Sequence, residues 1–286
     1  MPPPPGSRFK GYESYVVEDL VVRPATIRYC RQRWRTPAGE TIVAPLPPGV
    51  RGHVGGELRR YVLALYHQGR MTVPGLLAHL HDLGVSLSKR QLVRQLIDDQ
   101  ERFVDEARDV LRAGLETAAW ITVDDTGARH KGTNAICTQI GNDHFAWFAT
   151  TASKSRRNFL DLLRAGHTDY VVNDAALAYM RRRNLAGTPI ARLKACRTKR
   201  FADDAAWTAH LDRLGLSGLA VTRDPVRIAT EGALWGSIVD HGLLDDAVIL
   251  SDDAGQFNVG RHALCWVHAE RLIHKLDTFN DRQRRA

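Results

Sequence analysis

The chain has 286 residues, with 40 Lys and Arg against 32 Asp and Glu and a net charge of +8. With 44% hydrophobic and 25% charged residues it has the composition of a globular protein, which excludes disorder along the whole chain, and its length suits about two domains. No apolar run approaches the roughly 18 residues of a membrane-spanning helix, and the Pro-rich start at Met1–Gly6 has no apolar stretch behind it, so no membrane partner and a cytoplasmic location are expected.

Residues 1–14 read as a loose Pro-rich arm. The segments 19–23 and 26–30 are β-rich, 36–40 is a turn and 41–44 another strand, so a small hairpin or meander is expected within residues 1–50. This part carries Arg23, Arg28, Arg31, Arg33 and Arg35 with Trp34 among them. Arginines interleaved with aromatics suit a grip on phosphates and bases, and a solvated strand face accounts for the same pattern.

Residues 51–118 are expected to be helical. Leu58, Val62 and Leu65 recur at helical spacing up to Gly69. Thr72 can cap a second helix, with Pro74 in its first turn, Leu76, Leu77, Leu80 and Leu83 as its apolar stripe, and Gly84 at its end. Ser88 and Gln91 have the spacing of a capping box, and the helix they open buries Leu92 and Leu96 while exposing Lys89, Arg90 and Arg94. Two short helices joined by a tight turn, the second basic at its start, fit a helix-turn-helix reader of double-stranded DNA. An ordinary helical hairpin fits them too. Phe103, Ala107, Val110, Leu111 and Leu115 continue as a connecting helix that offers a homodimer surface.

From 119 to 286 the rhythm is α/β. Residues 119–124 form a strand ending in acids, and 133–140 and 144–150 form two more, joined by the short turn 141–143 and therefore antiparallel. A helix over 155–164, a short strand at 170–172, a mostly helical stretch over about 175–246, strands at 248–251 and 263–266, and a helix through His268, Arg271 and Leu276 complete the chain.

Two acidic pairs, Asp124-Asp125 and Asp252-Asp253, each follow an apolar strand. Three strands and a helix followed by further strands is the order of an RNase H-like fold, in which carboxylates at neighbouring strand ends bind two Mg²⁺ ions for phosphodiester chemistry. Acids at strand ends also begin turns or cap helices. Cys30, Cys137, Cys196 and Cys265 form no C-x-x-C pair and read as isolated thiols, and Cys265 with His268 lacks the second pair that a zinc site needs. His262, His268 and His274, six apart, spread around a helix. There is no phosphate-binding G-x-x-x-x-G-K-[ST] loop and no G-x-S-x-G elbow.

Thr122-Val123-Asp124-Asp125-Thr126-Gly127 resembles the first-aspartate motif of bacterial DDE transposases of the IS-sixty-six type. The segment 250–257, Leu-Ser-Asp-Asp-Ala-Gly-Gln-Phe, resembles their second-aspartate motif, and 265–271, Cys-Trp-Val-His-Ala-Glu-Arg, resembles the segment that follows it. The resemblance covers roughly residues 50–280 and implies a DNA transposase with an RNase H-like mixed-sheet core, a helical insertion at about 175–246 lying outside the sheet, and a Mg²⁺ (or Mn²⁺) cofactor held by Asp124 and Asp252. It implies double-stranded DNA partners, namely transposon ends and target DNA, bound in part through Lys89, Arg90 and Arg94. Asp174 competes with Asp252 for the second role. The family's third carboxylate is a Glu in a later Asn-rich motif, which the residues up to Ala286 do not reach; Glu270 is a candidate substitute, but its segment has its own counterpart in the family pattern. The chain alone is therefore expected to be inactive in strand transfer, and a non-catalytic DNA-binding protein occupying transposon ends is the alternative.

Overall fold

The computed structural model describes all residues except 1, 2, 49, 51, 131, 217, 220–223, 275–280, 283 and 286. The chain divides into two compact units, Met1–Gln100 and Glu101–Ala286. The boundary falls earlier than the expected division at 118/119, because Leu111 and Leu115 of the connecting helix pack into the core of the second unit.

In the first unit, strands β1 (Arg33–Arg35) and β2 (Thr41–Val43) pair antiparallel. The expected strands at 19–23 and 26–30 do not form. Leu20, Val21 and Ile27 there are exposed, and an extended segment with no face to bury gains too little to stay in a sheet. Helices α1 (Gly56–His67), α2 (Val73–Asp82) and α3 (Lys89–Ile97) enclose Val62, Leu76, Leu80, Leu87, Leu92 and Leu96. Thr72 caps α2, and Gly84 ends it at φ +85°, where a side chain would be strained. The Ser88 hydroxyl accepts from the Gln91 N–H (3.2 Å) and the Gln91 side chain accepts from the Ser88 N–H (2.9 Å), so the expected capping box is in place. The Tyr61 hydroxyl meets His79 Nε2 at 2.8 Å, a polar tie between α1 and α2.

The second unit is mixed α/β. Helix α4 (Glu101–Thr117) leads into β3 (Trp120–His130), β4 (Thr133–Gly141), β5 (Ala146–Thr151) and α5 (Arg156–Leu163). There follow β6 (Tyr170–Val171), α6 (Asp174–Arg182), α7 (Gly187–Ala195), β7 (Arg200–Phe201), α8 (Asp204–Arg213) and α9 (Pro225–Asp240). Strands β8 (Val248–Ser251) and β9 (Arg261–Leu264) and helix α10 (Trp266–His274) complete it. Leu276, expected on the last helix, lies outside the described residues. The main sheet has the order β5-β4-β3-β8-β9, with β5, β4 and β3 antiparallel and β3, β8 and β9 parallel.

One face of this sheet is covered. Ile121, Val123, Thr138, Ile140, Ile249 and Ser251 are buried on it, while Trp120 and Phe148 on the other face are 38% and 62% exposed. No described residue of the segment 175–246 joins the main sheet, as expected of an insertion outside it, but the segment is part of the core rather than an appendage. Ile228, Ala229, Ala233, Leu234 and Ile238 of α9 share one core with Ile121 and Ile249. The reason lies in α9 itself, which is apolar nearly all round and so is held in the interior. Its Gly236 lets the backbone of β6 approach closely: a Cβ there would stand 2.1 Å from the Val171 carbonyl oxygen. Gly236→Ala is accordingly expected to destabilise by about 1–3 kcal/mol through overpacking. Gly187→Ala, where a Cβ would meet nothing within 4 Å, should change stability by less than about 0.5 kcal/mol. Urea denaturation of the two variants measures the difference.

Candidate site at the carboxyl ends of two parallel strands

Strands β3 and β8 run parallel with Trp120 opposite Val248, Ile121 opposite Ile249 and Thr122 opposite Leu250. Asp124 and Asp252 each stand two residues beyond the last of these pairs. Neighbouring strands are about 4.8 Å apart, so Asp124 and Asp252, which directly follows β8, come to the same end of the sheet. The strand 119–124 was expected to end at its acids. Instead β3 continues to His130 because β4 pairs with it all the way, from Thr122 opposite Gly141 to His130 opposite Thr133. The acids therefore sit in mid-strand, where β3 has outrun its pairing with β8.

The alternation separates the members of the first pair. Asp124 faces the open side and is exposed, and its Oδ1 accepts the Asp125 N–H at 2.8 Å. Asp125 lies opposite Thr138 on the covered side and is half-buried. Its two carboxylate oxygens accept the Thr138 hydroxyl (2.5 Å) and the Gln256 side-chain amide (3.0 Å). Gln256 follows the second acidic pair, so this bond ties two segments 131 positions apart. Asp252 is half-buried, and its Oδ1 accepts the Ala254 N–H at 3.1 Å, which turns the chain away from β8. Asp253 is exposed.

The loop after β8 is held from several sides. Arg156 at the start of α5 donates to the Gly255 carbonyl and lies 3.7 Å from the buried Glu231, which also accepts the Tyr179 hydroxyl at 2.8 Å. Phe257 is buried edge-on against Phe159 at 5.0 Å. The buried Ser251 hydroxyl contacts His262 Nε2 at 2.7 Å. Burial lowers the pKa of His262, with Asp253 and Asp252 opposing the shift.

The remaining sequence candidates stand apart from this edge. Asp174 is the exposed first residue of α6, after Asn173, whose side chain caps that helix. Among the described residues, the strand before it, β6, pairs with β7 in a separate two-stranded sheet. Glu270 lies on α10 and faces His274 at 3.6 Å. Lys89, Arg90 and Arg94 are exposed on α3 in the first unit.

Sequence reading missed Thr138 and Gln256, whose role depends on register rather than on any motif. It also missed a cluster of His167, Asp169 and His241. His241 Nε2 and the Ser237 hydroxyl meet Asp169 Oδ1, both at 2.9 Å, and Arg200 pairs with Oδ2. Burial pushes the Asp169 carboxyl up, but the bonds from His241 and Ser237 and the charge of Arg200 outweigh it and hold it below its ordinary value. Burial, His241 and Arg112 together lower His167.

The chain is 51% identical over 174 residues to uncharacterized protein y4jO of Sinorhizobium fredii (strain NBRC 101917 / NGR234), a match covering 61% of this chain and 54% of that protein. The chain thus spans about half the length of the curated relative it matches. No family model matches the chain. No solved structure matches it.

The division between the acids gives a direct test. Asp125→Ala removes two bonds to a half-buried carboxylate and should cost about 1.5–3 kcal/mol. Asp124→Ala should stay within about 0.5 kcal/mol. Thermal or urea unfolding of both variants checks the contrast.

Proposed function

We propose that the chain is a DDE-type DNA transposase whose second unit is an RNase H-like core and whose first unit binds double-stranded DNA. The observation that carries this reading is the parallel pairing of β3 with β8, whose register supports Asp124 and Asp252 meeting at one end of the sheet. The sheet order supports it as well: a long first strand lies between an antiparallel hairpin and a parallel strand that ends in acids. Asp252 is preferred to Asp174 because β6 belongs to a different sheet.

The donor set suits a hard divalent cation. Both groups are carboxylates, and the Asp124 side chain, exposed and bonded only to a neighbouring backbone N–H among the described contacts, is free to turn toward an ion. Asp124 and Asp252 would hold Mg²⁺ or Mn²⁺, which when bound supplies charge neutralisation at a phosphodiester and activation of the attacking oxygen. The protein's own part is positional. The bond between Asp125 and Gln256 fixes the loop that carries Asp252 against β3, while Lys89, Arg90 and Arg94 hold phosphates. A second reading, a DNA-binding protein that occupies transposon ends without catalysis, draws on the engagement of Glu270 with His274 on an exposed helix, away from a role as third acid.

Duplex DNA binding tests the part both readings share. Each lost phosphate contact lowers the slope of log affinity against log salt by about 0.9, so Lys89→Ala/Arg90→Ala/Arg94→Ala should flatten it by up to about 2.7 and weaken binding at low salt. Unchanged affinity and slope would contradict the assignment of α3. Mn²⁺ binding that Asp124→Asn abolishes would select the transposase over the non-catalytic reading, and Mg²⁺-dependent cleavage lost in Glu270→Gln would overturn the expected inactivity of the chain and make Glu270 the third acid.

A further inference from the structure

We propose that His167, Asp169 and His241 form a binding site for a first-row transition-metal dication, zinc foremost. The three residues come from separate segments. His167 lies in the turn between α5 and β6, Asp169 directly precedes β6, and His241 caps the carboxyl end of α9. One ligand atom from each lies within 4.8 Å of the others. The two imidazoles stack at 3.6 Å with an interplanar angle of 10°.

Two imidazoles and one carboxylate are the donors of zinc sites rather than of magnesium or calcium sites, which take oxygen. Zinc bonds of about 2.0–2.2 Å place tetrahedral ligand atoms roughly 3.3 Å apart. His241 Nε2 and Asp169 Oδ1 are already 2.9 Å apart, and turning the imidazoles out of their stack directs their in-plane nitrogen lone pairs at an ion beside Asp169. Three protein ligands leave a fourth position open, and the His241 and Asp169 side chains, 24% and 13% exposed, give water access to it.

The carboxylate is also oriented for the task. Asp169 Oδ1 faces His241 and Ser237, while Oδ2 faces Arg200, so one oxygen can take the metal while the other keeps its ion pair. Arg200 is shared with Asp240, which offsets its charge beside a dication. Arg164 donates to the Asp169 carbonyl at 3.0 Å and fixes the backbone. Such outer partners hold metal ligands in place. The cluster stands at the end of α9 that leads into β8, whereas Asp252 follows the far end of β8, so this site is independent of the proposed carboxylate site.

The test is titration of the metal-stripped chain with Zn²⁺ by calorimetry and with Co²⁺ by visible spectroscopy. One ion per chain should bind with tetrahedral ligand-field bands, and Cys265→Ser should bind equally, which excludes the Cys265 and His268 pair. His167→Gln and His241→Gln should each weaken binding by at least about tenfold. If either variant misfolds by circular dichroism, Asp169→Asn serves in its place with the same expectation. No binding by the wild type, or one ion held with unchanged affinity by the folded variants, overturns the proposal.

Discussion

The parallel pairing of β3 with β8 is the constraint on which the second unit depends. Parallel neighbours need a long crossover, and here it is most of the unit: the hairpin partners β4 and β5, then α5 through α9. The crossover closes because α9 is apolar on nearly every side and carries glycines where α6 and β6 press against it. Burying α9 and aligning the two strands are thus one event. A register slip of a single residue would turn the paired residues of β3 and β8 to opposite faces.

The first acidic pair serves two purposes through strand alternation. The covered side takes Asp125, which Thr138 and Gln256 satisfy, and the open side takes Asp124. A half-buried carboxylate with two donors stabilises the junction, and an exposed one stays available to a ligand. Arg156, Glu231 and Tyr179 extend the same support behind the loop. A rigid polar cross-link next to an open carboxylate is the arrangement that a positioned cation site requires.

Much of this was legible in the sequence, for identifiable reasons. The hairpin of β4 and β5 followed from a short Gly-Asn-Asp turn between apolar runs, and β8 from three apolar residues and a serine before two acids. The α3 cap followed from Ser88 and Gln91. What failed was whatever depends on partners distant in sequence. Segments 19–23 and 26–30 have strand composition but no face to cover them. The burial of α9 was hidden because an all-round apolar helix carries no periodicity. The β3 extension past its acids depended on pairing with β4, and the His167, Asp169 and His241 cluster is assembled only by the fold.

The central claim is that Asp124 and Asp252 act as one site. Mn²⁺ affinity measured by electron paramagnetic resonance in the wild type, Asp124→Asn, Asp252→Asn and the double variant tests it most directly. All four are made with His167 and His241 replaced by Gln, so that the other cluster does not contribute. A shared ion predicts that each single change removes the same binding event and that the double variant loses nothing further, a strong non-additivity. Equal affinity across the four proteins, or losses that simply add, would contradict it.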